Sequence, residues 1–532
     1  MILTYVWAAV AVAALLLYLW QTYTKLSRAG VNHLPIIPFF GHTAHVFFKK
    51  EHMIDSIMRV INTFPDETIV GLYELVSPVY VLKDIEMYKK ITTKDFEHFV
   101  NRRGFVDATD PLFGRGLLML KGDEWKAMRS TLSPAFTSSK IRLMVPFMVD
   151  VGDQMISVLR KRIQESERSY IDVEGKDLAT RYACDVIANC AFGLKVDSQS
   201  EDNQFYNFSK EITTFKFSGL MKVFLFRIAP RLAKMLQLKL SSSEAIRFFR
   251  TTVLTMMRDR DAHHIVRPDM INILIQVKKG QLSQVHKEPA NDDTDAGFAT
   301  VEESAVGKKQ HDIEWSDTDL VAQAVLFLFA GFDTVSNVMS FLLHELALNP
   351  DVQERLVEEI REHDARNGGK FDFNSIQKMT YLDMVVSEIL RLWPAVPFVD
   401  RRCVKDYNAG RPHKTSTKDL NIRENDSVML PIWAFHRNPE YFPDPEKFDP
   451  ERFSEENRHD IKPFSYMPFG LGPRNCIGSR FALCEVKVML YQLLRALEVS
   501  PCERTCVPTK LTNETFNMRI KGGAWVRLTS RI

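Results

Sequence analysis

The sequence predicts a mainly α-helical protein with small β-sheets, tethered by a single N-terminal transmembrane helix. Three observations carry that expectation. Residues 1–20 hold one polar side chain, Thr4. Most of the chain after residue 120 falls into helix-length segments with apolar spacing. Strand-like alternation is confined to short runs.

At 1.5 Å per residue the first element, residues 1–20, reaches about 30 Å as a helix, the thickness of a bilayer core. A cleaved signal peptide is the alternative, with Ser27-Arg28-Ala29 as a faint cleavage-like pattern. Against it, there is no basic n-region, and the apolar run exceeds the about 7–15 residues of a signal h-region. Lys25 and Arg28 follow the run, and nothing charged but the amino terminus precedes it. The positive-inside rule therefore places the rest of the chain in the cytoplasm. Residues 21–38 read as a basic, proline-rich hinge, because Pro35 and Pro38 disfavour helix and stiffen the backbone. No Arg-rich amphipathic transit peptide is present, which argues against a mitochondrial address.

Short strands are expected at Thr68 to Leu72 and Val79 to Leu82, then helices at Met144 to Ile163 and Thr180 to Phe192. Residues 215–240 mix Phe217, Met221, Phe224 and Phe226 with Lys222, Arg227, Arg231 and Lys234. That composition suits a basic amphipathic segment lying in the membrane interface and equally suits two core helices with a loop. Residues 280–315 are polar, carry almost no apolar periodicity and read as a mobile surface loop. Ser316-Asp317-Thr318-Asp319 then forms an N-cap cluster opening an apolar segment, Leu320 to Leu348, that Pro350 closes. Apolar residues nearly encircle this segment up to Phe332, so it is expected to run through the interior. Asp333, His344 and Glu345 break the run before it reads as a second membrane span. Helices at Tyr381 to Leu392 and Arg480 to Leu497 and a strand at Ala524 to Leu528 complete the elements.

At roughly 150 residues per domain, 532 residues suggest about three domains. Lys+Arg 69 against Asp+Glu 67 gives a formal charge of +2, which excludes a wholly nucleic-acid-coated surface and leaves room for a local docking patch. Phe (36) exceeds Tyr (14) and Trp (7) combined, so most aromatic surface carries no polar handle and suits a core or an apolar cavity. The seven cysteines are odd in number and widely spaced, without a C-x-x-C pair, so neither a disulfide framework nor a structural zinc site is expected.

The most informative segment runs from Pro468 to Gly478, PFGLGPRNCIG. A Gly- and Pro-rich loop delivers Cys476 to the start of a helix, where unpaired N–H groups and the positive dipole end favour the thiolate. A nucleophile would need a base, and the loop contains no histidine. A single thiolate fits an axial haem ligand better. Phe469, Gly472, Arg474, Cys476 and Gly478 match every fixed position of the haem-binding loop of cytochrome P-450 enzymes, and the chain resembles that family along essentially its whole length. Its finer resemblance is to insect microsomal enzymes of the ninth family, in the clan of the vertebrate family-three drug oxidisers. It is carried by Asn101 to Phe105, by Arg181 to Ile187 and by the polar loop before the central helix.

The resemblance implies a cytochrome P-450 fold in which residues 39–532 form one haem-thiolate catalytic domain. The three-domain estimate then gives way, because motifs scattered from Arg102 to Cys476 must converge on one cofactor. It implies haem b with Cys476 as iron ligand and Phe469 and Gly478 against the cofactor. Trp125, Arg129, Arg102, Arg401 and Arg474 serve as donors to the haem carboxylates. Ala330-Gly331-Phe332-Asp333-Thr334 matches the oxygen-activation motif. Gly331 would permit close approach to the flat cofactor, and Asp333 and Thr334 would deliver protons. Val335 follows, where many relatives carry a second hydroxyl. Glu388 and Arg391, at i and i+3, and Arg452 match a structural ion network.

Substrate contacts are expected from Phe105, Phe329, Ala330, Val396, Phe398 and Phe516, all apolar, although each could be an ordinary core residue. The resemblance implies a monooxygenase on the endoplasmic reticulum membrane that draws electrons from NADPH through NADPH-cytochrome P-450 reductase, with cytochrome b5 as a further partner. Lys126, Arg480 and Lys487 are candidate docking residues for that acidic partner. Lipophilic foreign compounds such as insecticides and plant toxins are the expected substrates. An endogenous hormone or fatty acid is the alternative within the class. An isomerase or dehydratase acting on peroxides without reductase is a rival within the fold, against which Thr334 weighs, and a non-catalytic haem sensor or carrier is the rival outside it.

Overall fold

The computed structural model describes residues 1–104, 106, 110–214, 217–228, 230–279, 298–301, 314–368 and 372–531. These group into two compact units, each drawing on three stretches of chain, where the sequence reading expects one domain after residue 38.

The first unit comprises Met1–Arg103, Pro397–Asn438 and Leu511–Asn517. Its first helix, α1 (Ile2–Tyr23), has no buried residue and is apolar apart from Thr4 near its start and Gln21 and Thr22 at its end. Its 22 residues correspond to about 33 Å, so the helix runs a few residues past the expected end at Trp20. The start of the proline-rich segment is fastened to this unit. Leu26 is fully buried, Lys25 pairs with Asp426, and the Tyr73 hydroxyl donates to Thr22 O (3.0 Å) and accepts from Leu26 N (3.2 Å).

Four strands build this unit's main sheet, in the spatial order Ile69–Glu74, Ser77–Leu82, Ser427–Leu430, Val399–Arg402. The first pair is antiparallel with Leu72 opposite Val79, the middle pair parallel, and the last antiparallel with Arg401 opposite Val428. Helix α2 (Met53–Thr63) lays Ile57, Val60 and Ile61 on Val70, Leu72, Val79, Val81 and Met429. Both expected early strands are present, each slightly longer than the alternation alone showed.

The second unit comprises Gly104–Val396, Pro439–Lys510 and Met518–Ile532 and is mainly helical. Helix α3 (Gly122–Leu132) carries Trp125 and Arg129, and α4 (Ser138–Gln164) covers the expected segment with an extra turn and a half at its start. Helix α5 (Gly175–Ile187) begins earlier than expected and gives way to a wider turn over Ala188–Phe192 that ends on Gly193.

The expected central helix, α6 (Asp317–Leu348), has 32 residues and starts on a reciprocal cap between Ser316 and Asp319. Asp319 N donates to Ser316 Oγ (3.2 Å) while Ser316 N donates back to the Asp319 carboxylate (2.9 Å). Helix α6 is mostly buried and lies along α5. It is therefore an interior helix, as the interrupting charges suggest. Helices α7 (Thr380–Leu392) and α8 (Ser479–Ala496) follow, with α8 packed on α4. A three-stranded antiparallel sheet places Trp525–Ser530 between Tyr170–Glu174 and Leu497–Ser500.

Most of the expected polar loop, 280–315, lies outside the described residues. Within it Phe298 is anchored, its ring 5.1 Å from Phe453 and its N–H donating to Asp383 (2.8 Å). Of the 215–240 segment, helices Phe217–Ile228 and Pro230–Met235 are formed, and Met221, Leu232, Met235 and Leu236 are exposed.

Candidate active site

The cysteine loop owes its shape to two left-handed glycines, Gly470 (φ 75°) and Gly472 (φ 70°), positions that strain any L side chain. The chain curls so that Cys476 N donates to Phe469 O (2.9 Å) and Asn475 N to Gly472 O (3.0 Å). Gly478 caps α8, so the Cys476 thiol sits just ahead of the helix N-terminus. Cys476 is the one exposed cysteine of the seven, and none forms a disulfide. Gly478 itself has ordinary backbone angles (φ −99°), and a Cβ there would meet Phe136 only at van der Waals distance, 3.6 Å.

Helix α3 and this loop interlock. Arg129, 7% exposed, donates to Asn475 O (2.9 Å) and Oδ1 (2.7 Å). Arg474, 5% exposed, donates to Leu120 O (2.8 Å) and Leu117 O (3.4 Å), and its guanidinium lies 3.9 Å from the Trp125 ring centre. The segment that supplies those carbonyls is pinned by Gln323 of α6, which accepts from Leu117 N (2.8 Å) and donates to Arg115 O (2.8 Å). Trp125, Arg129 and Arg474 are thus brought together, while Asn475 and Gln323 were not singled out from the sequence. Short polar side chains in a loop or a buried helix carry no signal until their partners are seen.

In the middle of α6 the burial pattern opens. Ala330 is exposed and Phe329, Gly331, Asp333 and Thr334 are half-buried, within a helix otherwise buried almost throughout from Asp319 to Ala347. The helix therefore presents an open face at Ala330 and Thr334. Gly331 does not serve as expected. A Cβ there would stand 2.5 Å from Ile187 Cδ1 and 3.0 Å from its Cγ1, so the glycine admits α5, and Ala330, about 100° round the helix, is the residue on the open side. The Thr334 hydroxyl back-bonds to Ala330 O.

Asp333 faces away from that hydroxyl, with Oδ1 2.6 Å from Arg519 Nη2 and 3.3 Å from Lys176 Nζ. Burial works to raise its carboxyl, but Lys176 and Arg519 outweigh it and hold it below the ordinary value. Lys176 pays the complementary penalty, since burial drives it down to about 7 against the attraction of Asp333. Neither partner was found from the sequence, because both come from elements remote in the chain.

Glu388, Arg391 and Arg452 meet in one cluster. Fully buried Glu388 accepts from Arg391 Nε (2.7 Å) and Nη2 (2.8 Å) and from Asp449 N (2.8 Å), with Arg452 Nε at 3.5 Å. Arg391 also donates to Pro445 O (2.8 Å) and Lys447 O (3.1 Å), so one buried pair ties α7 to the 444–452 segment.

In the first unit, Arg401 is 1% exposed and donates to Asp400 O (2.8 Å), yet its buried Nε has no hydrogen-bond partner among the described residues. Burial and then the neighbouring Arg102 push its guanidinium down to about 10. Arg102 is 4.0 Å from the Asp400 carboxylate. A buried, unsatisfied cation of this kind is what an anionic ligand group would complete.

The expected substrate residues fare unevenly. Phe329 meets Phe113 edge to face at 5.3 Å, and Phe113 was not anticipated. Ala330, Val396 and Phe516 are exposed. Phe398 packs on the sheet core of the first unit, the behaviour of a structural residue. Phe105 lies outside the described residues. Lys487 corrects the docking expectation: it is wholly buried and paired with Asp383 at 2.8 Å, because α8 is buried on nearly all faces. Lys126 and Arg480 are half-buried.

Within the second unit, an exposed thiol just ahead of a helix N-terminus, on a loop tied to the buried guanidiniums of Arg129 and Arg474, fits a haem iron and its carboxylates. Comparison with known proteins agrees. The family model described as Cytochrome P-450 matches residues 32–526. Cytochrome P-450 9e2 of Blattella germanica is 42% identical over 541 residues, covering 98% of this chain and 97% of that protein. Probable cytochrome P-450 9f2 of Drosophila melanogaster is 40% identical over 539 residues, covering 98% and 99%. Cytochrome P-450 6k1 of Blattella germanica is 33% identical over 529 residues, covering 98% and 97%.

Proposed function

Because the chain belongs to the cytochrome P-450 family, a family of haem-thiolate monooxygenases, we propose that it inserts one atom of O2 into lipophilic foreign compounds, insecticides and plant toxins among them. Electrons come from NADPH through NADPH-cytochrome P-450 reductase, with cytochrome b5 as a second donor. The protein works at the endoplasmic reticulum membrane, held by α1, with residues 39–532 as its catalytic body facing the cytoplasm.

The observation that carries this reading is the exposed Cys476 thiol at the start of α8, on a loop that Arg129 grips through Asn475. Bound there, haem supplies reductive activation of O2 and transfer of one oxygen atom to the substrate. The chain's own contribution is positioning and protons. Cys476 holds the iron as a thiolate, favoured by the N–H groups and dipole of α8. Trp125, Arg129, Arg474, Arg401 and Arg102 would donate to the haem carboxylates, and Phe469 and Gly478 would pack against the ring. The Thr334 hydroxyl, now bonded to Ala330 O, would donate a proton, and Asp333, itself taking a proton from solvent, would restore it. Phe329, with Phe113 behind it, Ala330, Val396 and Phe516 provide apolar contacts.

The test is reconstitution. With reductase, NADPH and O2, a panel of lipophilic compounds is expected to give oxygenated products, with NADPH consumed in proportion. Conversion of a peroxide without reductase or O2, or haem binding with no turnover of any compound, contradicts the proposal.

A further inference from the structure

Phe298 is the one Phe, Tyr or Trp between residues 280 and 314, a mostly polar stretch. It docks the described residues 298–301 onto the second unit. Its ring meets Phe453 edge to face at 5.1 Å and Tyr466 at 5.6 Å, and those two rings meet each other at 4.9 Å. Its N–H donates to Asp383 Oδ2 (2.8 Å), a charge-assisted bond. Ala299, next in the chain, is 4% exposed. Phe298 itself is 36% exposed and so forms the outer member of the aromatic group, over a buried Phe453.

The groups that Phe298 touches flank the cysteine loop on both sides. On the entering side, Tyr466 precedes Met467, whose carbonyl accepts from Gly470 N (2.9 Å), and Phe469 O then accepts from Cys476 N (2.9 Å). The Tyr466 hydroxyl donates to Ser387 O of α7 (2.9 Å), so its ring is fixed at both ends. On the leaving side, Asp383 presents Oδ1 to the buried Lys487 of α8 at 2.8 Å, and α8 starts three residues after Cys476. The same carboxylate thus accepts the Phe298 N–H and pairs with the helix that follows the thiol. Holding both ends of a short loop removes conformations from its middle, which is where Cys476 sits.

We infer that Phe298 is a positioning residue for Cys476: docked on Phe453, Tyr466 and Asp383, it clamps the two flanks of the cysteine loop and holds the sulfur at a fixed place for the iron, a role that rests on the haem-thiolate reading. A segment remote in sequence from the loop acts on it through Tyr466 before the thiol and through Asp383 and Lys487 after it. Phe298→Ala removes the ring contacts and keeps the N–H. Phe298→Tyr keeps the ring, with room for a hydroxyl at the exposed edge.

The test compares wild type, Phe298→Ala, Phe298→Leu and Phe298→Tyr as haem-loaded full chains, without turnover. Amide hydrogen exchange over residues 466–478, read by mass spectrometry, is expected to be about fivefold faster in Phe298→Ala, intermediate in Phe298→Leu and at the wild-type rate in Phe298→Tyr. Exchange in the sheet strand Tyr170–Glu174 should stay at the wild-type rate in every variant, which separates a local clamp from general loss of stability. In the reduced, CO-treated proteins, the red-shifted Soret band should decay about fivefold faster on warming in Phe298→Ala than in wild type, and at the wild-type rate in Phe298→Tyr. Equal exchange over 466–478 in wild type, Phe298→Leu and Phe298→Ala overturns the inference, as does an increase of the same size in the loop and in the control strand. The exchange comparison decides it whatever the spectrum shows; absence of the red-shifted band in wild type would instead defeat the haem-thiolate reading.

Discussion

Arg391→Ala puts a magnitude on the buried ion network. In the folded protein Glu388 and Arg391 are both 0% exposed and are joined by two charge-assisted hydrogen bonds of 2.7 and 2.8 Å. Alanine leaves the Glu388 carboxylate with only Asp449 N and the more distant Arg452, and it strips the donor from Pro445 O and Lys447 O. Removing one partner of such a pair costs about 3–5 kcal/mol, a large share of a total stability of about 5–15 kcal/mol. Arg366 and Glu362 supply the control, with the same 2.7 Å separation but side chains 75% and 65% exposed. Solvent screening and side-chain entropy reduce that pair to about 0–0.5 kcal/mol. Urea unfolding followed by circular dichroism on wild type, Arg391→Ala and Arg366→Ala should therefore give one large shift and one negligible shift. If the two variants fall within about 1 kcal/mol of each other, burial is not what gives the network its strength.

Three further outcomes follow from the same geometry. Gly331→Ala should cost about 0–2 kcal/mol, its clash with the Ile187 side chain offset in part by the better helix propensity of alanine, and the cost should differ in an Ile187→Ala background; strict additivity would refute the α5 contact. Asn475→Ala removes the Oδ1 that Arg129 holds at 2.7 Å, and haem titration of the apoprotein should show an about tenfold weaker affinity, while an unchanged affinity would mean that the loop needs no such brace. Lys487→Met breaks its buried pair with Asp383 and should cost about 3 kcal/mol in stability while leaving the KM for reductase unchanged; a raised KM with wild-type stability would restore it as a docking residue.

What the sequence disclosed divides along physical lines. Features written locally were legible: the apolar run of α1, the Ser316–Asp319 cap, the loop that delivers Cys476, and the i, i+3 spacing of Glu388 and Arg391. Features decided by tertiary partners were not. Gly331 looked like room for a cofactor and proved to be room for Ile187, because neighbouring helix positions face directions about 100° apart and the sequence does not say which face meets what. Lys487 looked like surface charge, yet α8 is buried on nearly all sides and α7 supplies Asp383 as its partner. Phe113 became visible only through its ring contact with Phe329. Lys176 and Arg519, which set the charge state of Asp333, lie in segments with no recognisable motif of their own.

The central claim is that Cys476 holds a haem iron as a thiolate. Reduced wild-type protein treated with CO should display the red-shifted Soret band of thiolate ligation, and Cys476→Ser, still folded by circular dichroism, should lose it. Persistence of that band in Cys476→Ser would contradict the account at its root.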